Sequence, residues 1–186
     1  MRKVILSIMM SLDGFIEGPG GGSDWSWHVW DEEMEKYADE LIDSVDVLLF
    51  GRVAFQLLAD FWQAETGEFA EKINGIPKIV FSRTLKKVEW NAKLVKENIA
   101  EEILKMKHQS GKNLVLLAGA NVASTFMKLD LIDEYRIIVN PVILGRGKPL
   151  FKDIRDRMNL KLLKTKTFKC GNVILYYQPD KNVIQE

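Results

Sequence analysis

The chain's 186 residues suit one domain, a size that can bury roughly 70% of its unfolded surface without disulfides or metals. With 26 basic residues against 26 acidic ones and an ordinary globular composition, no bulk field exists to recruit nucleic acid or an anionic membrane. The one cysteine, Cys170, cannot pair within its chain, and the opening M-R-K-V-I-L-S-I-M-M meets polar residues before a secretory segment or a membrane span is completed, so a reduced, cytoplasmic protein is expected.

Lys3 to Met10 is a nearly continuous apolar run that suits a strand buried on both faces of a parallel sheet, ended by the polar turn Ser11 to Gly14. Pro19 to Ser23, with Gly18 before it, reads as a flexible loop. Between Asp31 and Asp46, Met34, Tyr37, Ala38, Leu41, Ile42 and Val45 recur at helical spacing, with acids in the first turn where the helix dipole favours them. Val47 to Phe50, ended by Gly51, and Lys78 to Phe81, ended by Ser82-Arg83-Thr84, read as buried strands that deliver polar loops. Asn98 and Glu101 have the spacing of a capping box for a helix over Ile99 to Lys107, with a Glu101 to Lys105 pair on its surface. Leu114 to Leu117 is the next strand, entering Ala118-Gly119-Ala120-Asn121 and a helix that carries Val122, Ala123, Phe126 and Met127 on one face. After Asp133 the spacing predicts strands at Tyr135 to Val139, Pro141 to Leu144, Leu160 to Phe168 and Asn172 to Tyr177, with the turn G-R-G-K-P between the second and third. No repeat or linker divides the chain, which is expected to form one domain over residues 1–179 with a frayed tail over 180–186.

Three loops at the ends of expected parallel strands carry the chemistry, since ligands of open α/β sheets bind at that edge. At Gly51-Arg52 a glycine lets the chain turn out of the strand and a guanidinium offers a fork to phosphate. Ser82-Arg83-Thr84 supplies hydroxyls and a second guanidinium. Ala118 to Asn121 has no bulk to keep a phosphate from the N–H groups of the following helix start, although the same small residues also let helix and strand pack closely. Each loop alone is compatible with an ordinary surface turn. Together they point to a dinucleotide with an extra phosphate, hence NADP rather than NAD. His28 and His108 lie far apart and in no Cys/His ligand spacing, so no metal site is expected, and Cys170 reads as a turn or strand thiol rather than a nucleophile.

The ordered set K-V-I-L-S-I-M-M-S-L-D-G-F-I, L-L-F-G-R-V-A-F, I-V-F-S-R-T-L, L-V-L-L-A-G-A-N-V-A and L-I-D-E-Y-R-I-I-V-N-P-V-I-L-G-R-G-K-P-L-F resembles the dihydrofolate-reductase-like superfamily, and within it the RibD C-terminal branch, the reductase domain of riboflavin biosynthesis. The resemblance implies a three-layer α/β fold: a mainly parallel central sheet of about eight strands with antiparallel carboxyl-terminal strands and helices on both faces. It implies NADPH as cofactor, with Gly51, Arg52, Ser82, Arg83 and Thr84 toward the 2′-phosphate end, Ala118, Gly119, Ala120 and Asn121 at the pyrophosphate, and Met10, Ser11 and Gly14 bordering the nicotinamide. Ala54 stands where the resemblance expects threonine, and Ala118 where it expects the first of two glycines.

The activity so implied is hydride transfer to a C=N or C=O bond of a small heterocyclic or ribosyl substrate, similar to reduction of 5-amino-6-(5-phosphoribosylamino)uracil. Dihydrofolate reduction and a non-catalytic NADPH-binding role are the alternatives. Asp31 and Glu35, one helical turn apart, are candidates for a substrate-side acid, and equally for solvated first-turn acids. Trp25, Trp27 and Trp30 either wall a flat heterocycle or pin the glycine-rich loop to the core. Apolar strands in the carboxyl third favour a homodimer.

Overall fold

A computed structural model describes residues 1–181; most of the expected 180–186 tail lies outside the described residues. Its elements in chain order are β1 (Val4–Ser11), β2 (Phe15–Glu17), α1 (Glu32–Asp43), β3 (Val45–Gly51), α2 (Arg52–Trp62), α3 (Glu68–Gly75), β4 (Lys78–Phe81), β5 (Ala92–Val95), α4 (Ile99–His108), β6 (Asn113–Leu116), α5 (Ala120–Lys128), β7 (Glu134–Asn140), β8 (Lys148–Pro149), β9 (Leu160–Thr167) and β10 (Val173–Pro179).

Eight strands form one sheet in the order β5-β4-β3-β6-β1-β7-β10-β9, and β2 pairs separately with β8. Every contact from β5 across to β7 is parallel, whereas β10 runs antiparallel to both β7 and β9. This is the mainly parallel, helix-flanked α/β architecture expected from the sequence.

Strand alternation builds the two core layers, because successive side chains point to opposite faces. Ile5, Leu48, Phe50, Val80 and Val115 meet Met34, Tyr37 and Leu41 of α1, Phe55 of α2 and Ile73 of α3 on one face. Val4, Leu6, Leu49, Leu114 and Leu116 meet Ile103 of α4 and Ala123, Phe126 and Met127 of α5 on the other. The division follows from the handedness of the crossovers. Connections that step from β1 toward β5 place α1, α2 and α3 on one face, and the returning connections place α4 and α5 on the other. Complete burial of side chains such as Phe50 and Leu48, both at 0% exposure, contributes about 1.5–3 kcal/mol each.

Several boundaries differ from the sequence expectation for physical reasons. The first helix ends at Asp43 rather than Asp46, because Val45 is claimed by β3 and pairs with Asn113 of β6. Asn98 does not build a capping box: it adopts the left-handed conformation at φ 55° with no side-chain cap bond, whereas the expected Glu101–Lys105 pair forms at 2.8 Å. Pro141 to Leu144 is irregular rather than a strand, with the Val142 N–H donating back to the Asn140 carbonyl at 2.8 Å. Helices α2 and α3 and strand β5 were not among the expected elements. Among the described residues, no helix is long and apolar enough to cross a membrane.

Candidate functional site

The parallel strands β4, β3, β6, β1 and β7 lie side by side and end at the same edge. Their terminal loops therefore form one row: Ser82-Arg83-Thr84, Gly51-Arg52, Ala118 to Asn121, Ser11 to Gly14, and Asn140. From β1 the chain crosses toward β3, and from β6 it crosses the other way toward β7, so strand order reverses at the β6/β1 crevice. Such a switch point is where α/β sheets hold ligands.

On the β4–β3–β6 side the site is made of helix starts. Gly51 is the N-cap of α2 and Gly119 the N-cap of α5; neither has a side-chain cap bond, and neither helix has an acid in its first turn. Their leading N–H groups carry positive potential with no side-chain partner. The two starts adjoin, since a Cβ on Gly51 would lie 2.5 Å from Val122 Cγ2 of α5; glycine is what lets α5 approach the end of β3. A Cβ on Gly119 would meet nothing within 4 Å, so its surroundings are open.

Arg52, the first residue of α2, is exposed and, among the described residues, hydrogen-bonds Gln56 at 3.3 Å. Arg83 is exposed and makes no ion pair among the described residues. Ser82 Oγ accepts from the Thr84 and Leu85 N–H groups at 3.2 and 3.1 Å, which bends the loop and leaves Arg83 and Thr84 outermost. Ala118 and Ala120 are buried in the core and contribute backbone alone to the edge, where Asn121 is exposed. Ala54 packs against the apolar cluster beneath α2.

The β1–β7 side is a set of staples. Ser11, fully buried, donates to Asp13 Oδ1 at 2.7 Å and accepts from the Phe15 N–H at 2.9 Å. Asp13 in turn accepts from the N–H groups of Leu144 and Gly145 at 3.1 and 2.7 Å. The Ser11 hydroxyl above all, with these two N–H groups, holds the Asp13 carboxyl below the usual carboxylate range. The S-L-D-G turn thus ties the end of β1 to the G-R-G loop. Gly14 makes that turn at φ +91°, and its carbonyl accepts from the Leu150 N–H at 3.0 Å. The Met10 side chain, half-buried, packs against the α5-side core.

Asn140, in register with Ser11 and completely buried, accepts the Val29 N–H on Oδ1 at 3.0 Å, while Asn172, equally buried, donates to the Val29 carbonyl at 2.7 Å. These two amides clamp Val29, in the segment that joins the glycine-rich loop to α1, at the strand ends. Trp25 sits edge-on to Phe61 of α2 at 5.3 Å, which ties this segment to α2; Trp27 sits edge-on to its neighbour His28 at 4.1 Å, and Trp30 is 48% exposed. Sequence reasoning missed Asp13, Asn140 and Asn172, although an aspartate in a two-residue turn and an Asn-Pro directly after an apolar strand are readable signals.

The expected substrate acids are placed differently. Asp31 is the N-cap of α1: Oδ1 accepts from the Met34 N–H at 2.9 Å and Oδ2 from the Cys170 N–H at 2.9 Å. The Met34 bond first, then that from Cys170, holds its carboxyl below the usual range, and the same two bonds staple α1 to the β9–β10 turn. Glu35 is exposed on the next turn and, among the described residues, makes no salt bridge. Among the described residues, no cluster of His, Cys, Asp and Glu is placed to hold a metal ion.

Comparison with known proteins agrees with this geometry. The model of the RibD C-terminal domain matches residues 2–174. The uncharacterized protein YyaP of Bacillus subtilis (strain 168) is 38% identical over 181 residues, covering 95% of this chain and 94% of that protein. Among solved structures, a putative riboflavin biosynthesis protein from Shewanella sp. PV-4 superimposes with TM-score 0.81 at 25% identity, covering 97% of this chain and all, 100%, of that one. Dihydrofolate reductase from Enterococcus faecalis, complexed with NADP(H), shares the fold at TM-score 0.67 and 14% identity, over 96% of this chain and 97% of that one. Match length and shared architecture together assign the chain to the RibD C-terminal domain family, a branch of the dihydrofolate-reductase-like fold.

Proposed function

We propose that the protein is a cytoplasmic NADPH-dependent reductase that acts on a C=N or C=O bond of a small heterocyclic or ribosyl substrate. The observation that carries this reading is the pair of glycine-capped helix starts, α2 and α5, brought together at Gly51 and Val122 and flanked by Arg52 and Arg83. The donor set fits a dinucleotide phosphate: N–H groups at two helix starts without side-chain partners suit a pyrophosphate, and two exposed guanidinium groups suit a ribose phosphate. In this arrangement the α5 start at Gly119 and Asn121 holds the pyrophosphate, Arg52 and the Ser82 to Thr84 loop hold the 2′-phosphate, and the end of β1 borders the nicotinamide. The bound cofactor supplies the hydride. The chain's own task is alignment: the Ser11–Asp13 staple and the Asn140–Asn172 clamp fix two loops over the crevice, excluding water and shaping the substrate side.

Engagement of Asp31 in two backbone hydrogen bonds favours a substrate other than dihydrofolate, whose reduction needs a carboxylate free to face the pterin. The test is NADPH oxidation by the purified protein with a panel of ribosylamino-pyrimidine, pterin and simple carbonyl substrates. The expected result is turnover with a ribosylamino-pyrimidine or carbonyl compound and none with the pterin; NADPH binding without oxidation of any panel member overturns the reductase reading in favour of a non-catalytic binding protein.

A further inference from the structure

We infer that His28 is the proton donor of this site, an inference that rests on the reductase reading above. Hydride transfer to a C=N or C=O carbon pushes the π pair onto nitrogen or oxygen, and that atom must take a proton. The expected acids do not reach the task, since Asp31 is held by Met34 and Cys170 and Glu35 faces solvent. His28 is positioned differently. The next residue, Val29, is clamped on both its N–H and its carbonyl by Asn140 and Asn172, and Asn140 is the register partner of Ser11 at the end of β1. His28 is therefore the chain neighbour of a residue whose backbone is fixed at the end of β7, beside Ser11.

His28 Nε2 is buried with no hydrogen-bond partner, and so is Nε1 of Trp27, whose ring packs edge-on against it at 4.1 Å. Asn172 Oδ1, on the amide that holds the same loop, is a third buried polar atom without a partner. Native proteins rarely leave such atoms unsatisfied, and two on this loop with a third on the amide that clamps it, beside the end of β1, fit a polar ligand that completes them. The donor in this step is the imidazolium, whose share burial reduces and Asp24 restores in part. Burial lowers the His28 pKa below its ordinary value, Asp24 opposes that, and the strand ends bring the neutral amides Asn140 and Asn172 to this stretch. The step balances: the substrate carbon gains hydride, its nitrogen or oxygen takes the proton from His28 Nε2, and water reprotonates the imidazole.

The chain holds 2 histidines, so NMR of histidine-labelled protein resolves His28 from His108, with the His28→Gln variant giving the assignment. His28 should titrate below its ordinary 6.5 in the free protein, and kcat/KM for the panel substrate reduced fastest should fall about tenfold per pH unit above that same midpoint. His28→Gln should lose about 100-fold or more of kcat/KM and flatten the profile, while its affinity for NADPH, followed by protein fluorescence, stays that of the wild type. A kinetic midpoint that departs from the NMR midpoint in the unmodified protein overturns the inference, as does a His28→Gln enzyme with the wild-type rate and profile. Absence of any NADPH oxidation by the wild type instead overturns the reductase reading itself.

Discussion

Replacing Asn140 by alanine removes the acceptor of the Val29 N–H, a 3.0 Å bond, together with two long contacts from Nδ2 to the Met10 and Ile138 carbonyls at 3.4 Å. The long contacts contribute little; the cost lies in the stranded N–H and in the space left by a fully buried side chain. A stranded donor costs about 1–3 kcal/mol, and the partly buried setting of this one places the expected loss near 2 kcal/mol. Asn172→Ala strands the Val29 carbonyl in the same way, yet it also removes Oδ1, which is already buried without a partner, so its cost should be smaller, about 1 kcal/mol. Because both amides hold one residue, losing either frees the loop and weakens the other. Urea unfolding of the two single variants and the double variant should show the double falling short of the sum by about 0.5 kcal/mol or more. Additivity within about 0.3 kcal/mol would refute the clamp as a unit.

Two further outcomes follow from the same coordinates. Lys78, 1% exposed, donates from Nζ to the carbonyls of Ile73, Asn74 and Ile76 at 2.6, 3.1 and 2.7 Å and sits 4.2 Å over the Trp90 ring, while burial pulls its pKa down from 10.5 to about 8. The unfolded chain then holds more protons than the folded one between those values, so the stability of the wild type relative to Lys78→Met should rise as pH increases from about 8 to 10.5; a flat difference in chemical unfolding across that window contradicts the buried ammonium. Strand β9 is an edge strand on which Leu162 and Leu163 are 50% and 43% exposed, and we propose that it joins two copies about a twofold axis. Sedimentation equilibrium at micromolar concentration should return twice the 21.3 kDa chain mass, and a concentration-independent monomer refutes the pairing.

The sheet was legible where apolar runs were long. The run Lys3 to Met10 and the paired runs before Gly51 and Ser82 carried the strand positions, and the row of loops at their ends followed. Helix α2 was hidden because Gly51 serves as both strand end and N-cap with no polar capping side chain, so Gly51-Arg52 looks like a loop in sequence. Helix α3 likewise begins at a glycine with φ +103° and no cap bond. Strand β5 reads Ala-Lys-Leu-Val, as long as β4 but with its apolar run broken by an exposed lysine, and it is specified by pairing along β4. Arg52 and Arg83, proposed to hold the phosphate, stand out in the sequence because charges at strand ends need no tertiary context to be noticed. The work of Asp13, Asn140 and Asn172 depends on partners more than a hundred residues away, such as Gly145 and Val29, and spacing along the chain carries no trace of that. Asp31 shows the converse: its place before a helix was right, and only the fold shows that its second oxygen is taken by Cys170.

The proposed function requires the edge formed by β4, β3 and β6 to recognise a dinucleotide bearing a 2′-phosphate. Its most direct test is a fluorescence titration of the wild type and of Arg52→Glu with NADPH and with NADH. NADPH should bind the wild type at least about tenfold more tightly, since a charge-assisted contact contributes about 1.5–3 kcal/mol, and Arg52→Glu should erode that preference while leaving NADH affinity unchanged. Equal affinities of the wild type for the two cofactors, or equal losses of both in the variant, contradict the account.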